Sequence, residues 1–192
     1  MSYPITNAVT TQLIARLSDA ANNGADGWNA VYNSLAPGYG IPANMAIDFA
    51  GDTRASSKNF VLGDIDVTAW EETSAFNFPL MTLFGMRSIN QNWQKFHLFS
   101  GDIDIGINVF LSWENTRVLL DFSPWADCVE EAMFTLLNRA RNANPADQDW
   151  SEEVVYNGDL ELKRSPIILA GESWRQLLAF KATFEGVERG ET

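Results

Sequence analysis

The chain has 192 residues, of which 46% are hydrophobic and 20% are charged, which is typical of a globular protein and excludes an intrinsically disordered one. Its 25 acidic residues outnumber 13 basic ones, the formal net charge is -12, and no basic cluster is present, so a protein that grips the nucleic-acid backbone is not expected. No apolar run approaches the roughly 20 residues of a membrane-spanning helix.

Two helices are predicted near the N-terminus. Apolar residues recur at helical spacing over Thr6–Ala21, and an Asn-Asn-Gly sequence follows as a helix end. Asp26 is placed to cap a second, short helix that ends before Pro37. Beyond it, Ala46–Phe49 predicts a short strand and the polar stretch Gly51–Asn59 predicts an exposed loop.

The middle of the chain is rich in predicted strands. Asp64–Trp70 alternates apolar and polar residues, Phe78–Met86 is mostly apolar, and residues 85–95 predict a long polar connection. The clearest pattern is Ile103–Trp113, where apolar residues occupy every second position. We therefore predict a central strand here, with one buried face and one wetter face.

A long amphipathic helix is predicted after the central strand, over Pro124–Asn142. Ser123 is placed as its N-cap and Pro124 as its first helical residue. Apolar residues at spacings of three and four then form one broad stripe. Because a half-buried strand and a one-faced helix each need a cover, we expect the two to lie against each other as the core.

The C-terminal part predicts three strands and a loose tail. Val154–Tyr156 and Leu160–Leu162 flank an Asn-Gly pair, the strongest hairpin signal in the chain. Trp174–Phe184 alternates as a last strand, and the charged tail Glu185–Thr192 is expected to be flexible, above all over 187–192. Together the elements predict a single α+β domain over 1–192, with a mixed, mainly antiparallel sheet packed against helices 124–142 and 6–21.

No catalytic residue, cofactor site or metal ligand set is predicted. His97 is the only histidine, and the sequence has no nucleophile elbow and no phosphate-binding glycine motif. Cys128, the only cysteine, lies on the apolar stripe of the long helix, where a cysteine usually packs as a small hydrophobe. Gly-Asp recurs at Asp64, Asp102 and Asp159, which favours turns and a solvated sheet face. A small acidic metal-dependent enzyme or binding module is the alternative.

The seven tryptophans divide into two groups. Trp113, Trp125 and Trp174 fit the core faces of predicted elements. The other four are candidates for an interface, with core packing as the rival interpretation. These four are Trp28, Trp70, Trp93 and Trp150.

The order of elements resembles that of the tail terminator, or tail completion, proteins of long-tailed bacteriophages. The resemblance covers most of residues 5–187. An N-terminal helix is followed by strands that include FPLMTLFGMRS and KFHLFSGDIDIGINVFLSW, then by the long helix. The closing segment is VVYNGDLELKRSPIILAGESWRQLLAFKATFEGV, in which a short strand pair and a Gly-x-x-Trp step precede an alternating last strand.

The resemblance implies a structural virion protein of the tail and neck, assembled in the host cytoplasm, and not an enzyme. Such proteins form a ring, usually a hexamer, that caps the tail tube and docks to the head. The implied partners are further copies of the chain, the tail tube protein and a head-completion or connector protein. DNA would pass through the ring without specific binding, and Asp102 and Asp104 are predicted to line that channel. Another head–tail joining ring, in the neck or tube, is the alternative.

Overall fold

The structure is a computed structural model, and it describes residues 4–18, 26–43, 46–49, 59–64, 78–94, 98–113, 118–138, 154–170 and 173–189. The helices are α1 (Pro4–Ser18), α2 (Trp28–Leu35), a 3-10 turn (Ala36–Tyr39) and α3 (Val118–Asn138). The strands are β1 (Phe60–Leu62), β2 (Leu80–Gln94), β3 (Leu98–Trp113), β4 (Val154–Arg164), β5 (Ile168–Ala170) and β6 (Ser173–Arg189). Among the described helices, none combines the length and apolar character needed to cross a membrane.

The strands form one six-stranded sheet in the order β1-β2-β3-β6-β4, with β5 beside one end of β6. Only β1 and β2 run parallel. The other pairs are antiparallel, and β3 and β6 pair without interruption from Leu98 opposite Arg189 to Trp113 opposite Trp174. The predicted α+β class and the mixed, mainly antiparallel sheet are therefore confirmed.

The helices cover one face of this sheet, which we call the inner face. On β3 it carries Ile103, Ile105, Ile107, Val109 and Leu111, all buried. They belong to one apolar cluster together with residues of all three helices. The predicted alternation of β3 is correct, and β3 and the long helix belong to the same core. The long helix contributes to that core from beside β4, however, and does not lie directly against β3 as the sequence predicts.

In the middle of β3 the opposite, outer face is buried as well, which corrects the prediction of a wetter face there, whereas Asp102 and Ser112 near its ends are half-buried. Asp104 is 2% exposed, Asn108 is 7% exposed and Phe110 is 1% exposed. Phe110 belongs to a second, smaller apolar cluster with Leu80, against which Leu177 also packs. Alternation in the sequence therefore separates an apolar face from a more polar one, but both faces are covered in the middle of β3.

Helix α1, and not the long helix, contacts most of the sheet. It contacts β2, β3, β4 and β6, whereas α3 contacts α2, the 3-10 turn and β4. The two helices are joined by Arg16, which is buried and donates from Nε to the carbonyl oxygen of Leu136 at 2.7 Å. Because carbonyl groups in the last turn of a helix carry partial negative charge, the guanidinium stabilises this end of α3.

The start of the long helix differs from the prediction. Ser123 and Pro124 lie inside α3, which already includes Val118, so Ser123 is not its N-cap. A proline inside a helix lacks one backbone donor, yet α3 continues on both sides of Pro124 over its 21 residues. Residues 139–142 of the predicted helix lie outside the described residues.

Strand β2 is longer than the sequence predicts. Residues 85–94 continue it as the partner of β3, so the predicted connection over 85–95 is wrong. The register shifts between Gly85 and Arg87 and again between Ile89 and Asn92. Such bulges break the regular alternation of side chains, which removes the pattern that identifies a strand.

Strand β4 replaces the predicted hairpin at Asn157-Gly158. Residues on both sides of this pair align with β6, from Val154 opposite Gly186 to Arg164 opposite Leu178. The register shifts at 157–159, and Gly158 has a φ of 85°, which a glycine adopts readily. The turn residues therefore form a bulge within one strand.

Smaller differences occur at both ends of the chain. Gly27, and not Asp26, is the N-cap of α2. Residues 46–49 are not in a strand, and β1 instead follows the predicted loop. Residues 185–189 continue β6, so only the last three residues of the predicted tail lie outside the described chain. Most of the predicted strand 64–70 and most of loop 51–59 also lie outside it.

Substitution of Gly106 tests the packing of the outer face. This glycine is buried, and a Cβ added there would fall on the ring of Phe84, its direct partner on β2. We expect Gly106→Ala to lower the free energy of unfolding by about 1–3 kcal/mol in urea titrations, because the ring must move. Gly38→Ala is the control, since nothing lies within 4 Å of that position. A loss that does not shrink in a Phe84→Leu background would contradict this explanation.

Candidate assembly surfaces

A charged network crosses the outer face from β3 to β4. Thr183 Oγ1 donates to Asp104 Oδ1 at 2.7 Å. The Lys181 ammonium lies 4.0 Å from the other oxygen of Asp104 and 2.6 Å from Glu161 Oε1. A carboxylate that is 2% exposed requires such partners, because an uncompensated buried charge is strongly destabilising.

This network corrects the predicted role of Asp104. The sequence predicts that Asp104 faces a channel, whereas its carboxylate is buried among other side chains of the same chain. Residues two apart on β3 share a face, so the sequence pattern placed Asp102 and Asp104 together correctly. Asp102 is half-buried, and its role in lining a channel stays a prediction.

The four predicted interface tryptophans have different outcomes. Trp28 is fully buried in the core, and its ring centroid lies 6.1 Å from that of Tyr32, so its prediction as an interface residue is wrong. The position of Trp93 is on β2, opposite Phe99 of β3. Trp70 and Trp150 lie outside the described residues.

The single cysteine lies in the core between α2 and α3. Cys128 is buried, and its Sγ lies 3.9 Å from the carbonyl oxygen of Tyr32. Burial raises the pKa of the Cys128 thiol to about 11, so the protonated form dominates at neutral pH. A protonated, buried thiol is a poor nucleophile. His97 lies outside the described residues.

A surface groove lies between α3 and β4, and we call it the α3–β4 groove. Its volume is about 460 Å³. One wall is a single face of α3, where residues three and four apart come together. Two half-buried leucines of β4 form the floor of the groove, and the 3-10 turn closes one side. The lining residues are Tyr39, Asp127, Glu130, Glu131, Phe134, Leu160 and Leu162.

Polar contacts hold the walls of the α3–β4 groove together. Arg164 of β4 pairs with Asp127 at 2.7 Å and also with Glu130. The Tyr39 hydroxyl donates to Glu131, and this bond raises the pKa of Tyr39 to about 12. Each carboxylate of the groove therefore has a contact with the 3-10 turn or with β4, which fixes its position along α3.

Sequence analysis missed the α3–β4 groove. The one feature of the sequence that points to the groove is Phe134, an aromatic residue outside the apolar stripe of α3. In the structure it is 56% exposed. Three acidic residues precede it on the same face, at Asp127, Glu130 and Glu131. The approach of β4 to this face depends on tertiary packing, which residue spacing along α3 does not contain.

The two edges of the sheet are formed by different strands. At one edge, β4 pairs with β6 only, in the part of the chain that the structure describes. At the other edge, among the described strands, the short β1 pairs with Met81–Leu83 of the long β2. Met86 lies on β2 just beyond this covered stretch and is 52% exposed. The described sheet therefore presents two unlike edges on opposite sides.

Within the described ranges, no group of three or more His, Cys, Asp or Glu residues is arranged to hold a metal ion. Comparison with models of known protein families and with curated proteins finds no match to this chain.

Removal of the Lys181 ammonium tests the outer-face network. We expect Lys181→Met to lower the free energy of unfolding by about 1–3 kcal/mol, because Asp104 stays buried without this cation. Lys163→Met is the matched control, since Lys163 is exposed on the outer side of β4, and its effect should stay within about 0.5 kcal/mol. Equal effects of the two substitutions in chemical denaturation would argue against the network.

The reactivity of Cys128 tests its burial. At pH 8, below the thiol pKa of about 11, we expect iodoacetamide to modify the folded chain at least about tenfold more slowly than the urea-unfolded chain. Raising the pH should accelerate modification, because deprotonation produces the thiolate. Mass spectrometry of the alkylated protein measures both rates. Similar rates for folded and unfolded chain at pH 8 would be inconsistent with a buried thiol.

Proposed function

We propose that this protein is a structural subunit that assembles into a closed ring at the end of a bacteriophage tail tube. The ring caps the tube, provides the docking surface for the head or neck, and leaves an open channel for DNA. The proposal combines the resemblance in element order to tail terminator proteins with one structural observation. That observation is a continuous sheet with unlike edges on opposite sides of the subunit.

Unlike edges suit a ring because ring contacts are heterologous. Each subunit must present two different surfaces, and the surface on one side must fit the surface on the other side of its neighbour. Here β4 forms one edge and β2 with β1 forms the other. Met86, an exposed apolar residue, lies beside the β2 edge.

The electrostatic balance agrees with passage of DNA through such a ring. A net charge of -12 repels a polyanion at distances within the Debye length, so DNA would not adhere to the subunits. Tight binding of the phosphate backbone depends on Lys and Arg, of which the chain has 13 against 25 acidic residues. A channel made by this protein would therefore let DNA move.

Ring assembly is tested by the mass of the purified chain in solution, followed by negative-stain imaging. We expect ring-shaped particles of about six subunits with an open centre, formed alone or on addition of isolated tail tubes from a long-tailed phage. Met86→Asp should prevent assembly, because it places a charge in an apolar contact, whereas Ile168→Asp on β5 should not. A chain that stays monomeric under both conditions would contradict the proposal.

The choice of ring partner separates a tail terminator from a neck ring. A terminator should bind the ends of tail tubes by one face and the head connector by the other. A neck ring should bind the connector and not the bare tube. Pull-down of the ring with each partner measures this difference, and binding to neither would contradict both forms of the proposal.

A further inference from the structure

We propose that the α3–β4 groove binds an extended peptide segment of a partner protein that carries an aliphatic residue and, two positions away, a Lys or Arg. This inference goes beyond ring assembly, because a single subunit contains the whole groove. Four observations support it: an edge strand beside the groove, a helix as its second wall, an apolar floor and an excess of carboxylates.

The edge strand supplies backbone groups for an extended ligand. After the bulge at 157–159, residues 160–164 of β4 pair regularly with β6 on one side. On the other side, no described strand is paired with them. A groove between an edge strand and a helix is the arrangement in which a peptide adds to a sheet as an extra strand. Backbone hydrogen bonds then provide affinity, and alternate side chains provide specificity.

The floor of the groove is suited to an aliphatic side chain. Leu160 and Leu162 point to the inner face of β4, as their pairing with Ala182 and Phe180 shows, and both are half-buried. Phe134 stands opposite on α3 with 56% of its surface exposed. An aliphatic side chain placed here would remove apolar surface of all three from water. The volume of about 460 Å³ lies in the range of known binding sites.

The charges of the groove favour a cationic residue in the bound peptide, close to its aliphatic residue. Asp127, Glu130 and Glu131 contribute three negative charges, and Arg164 contributes one positive charge. The resulting excess of two negative charges lies on α3, beside the apolar floor of the groove. In an extended peptide, side chains two residues apart point the same way and are separated by about 7 Å, slightly more than one helical turn. A Lys or Arg at that position therefore reaches the carboxylates while the aliphatic residue contacts Phe134.

The test uses a fluorescein-labelled peptide, Thr-Leu-Thr-Lys-Thr-Leu-Thr-Ser, whose Leu and Lys side chains share one side of the extended form. Fluorescence anisotropy with the full chain should show saturable binding that weakens as salt increases. A peptide with Glu in place of Lys should bind at least about tenfold more weakly, because like charges then meet in the groove.

Two pairs of variants assign the binding to the groove. Phe134→Ala should weaken binding about fivefold or more, whereas Leu169→Ala, at a residue of similar exposure on β5, should not. Glu131→Gln should weaken binding and reduce its salt dependence, whereas Glu185→Gln, an exposed residue of β6, should do neither. Thermal melting of each variant confirms that it is folded, so a loss of binding is not a loss of structure.

Three results would overturn the proposal: no saturable binding at about 1 mM protein, equal binding of the Lys and Glu peptides, or equal effects of Phe134→Ala and Leu169→Ala. Self-association that Phe134→Ala removes and Leu169→Ala leaves intact would also overturn it, since the occupant would then be a second copy of this chain. Ring assembly is measured separately by mass, so either proposal can fail while the other stands.

Discussion

The uninterrupted pairing of β3 with β6 is the constraint on which the rest of the fold depends. Sixteen consecutive residues of β3 face sixteen of β6 without a bulge. Strand β2 attaches to the other side of β3, and β4 and β5 attach to β6. A shift of one residue would turn every side chain of a strand to the opposite face. It would bring Asp104 and Asn108 under the helices and expose the isoleucines, so the register is strongly determined.

Sequence pattern identifies the elements whose side chains follow a regular period. Three elements are predictable because one of their faces is almost entirely apolar: Ile103–Trp113, Trp174–Phe184 and most of α3. The end of β2 and the middle of β4 were not, because bulges interrupt their alternation while backbone pairing continues. Their strand character comes from backbone pairing with the neighbouring strand, which the alternation of their own residues does not indicate.

The candidate surfaces were harder to predict than the fold. Trp28 and Asp104 have residue types common at surfaces or interfaces, yet the core and the outer-face network bury them. Their burial depends on which elements cover them, and local sequence does not contain that information. The α3–β4 groove has the same origin: the acids and Phe134 share one face of α3 by spacing, but Leu160 and Arg164 reach it only through the sheet.

The position of α1 has a consequence for the order in which the contacts of the core form during synthesis. This helix precedes every other described element, yet it contacts β6, the most C-terminal of the described strands. Its buried Arg16 also needs the carbonyl oxygen of Leu136, which follows 120 residues later. Contacts of such long sequence separation form slowly. The core contacts of α1 therefore form only after α3 and β6 have been synthesised.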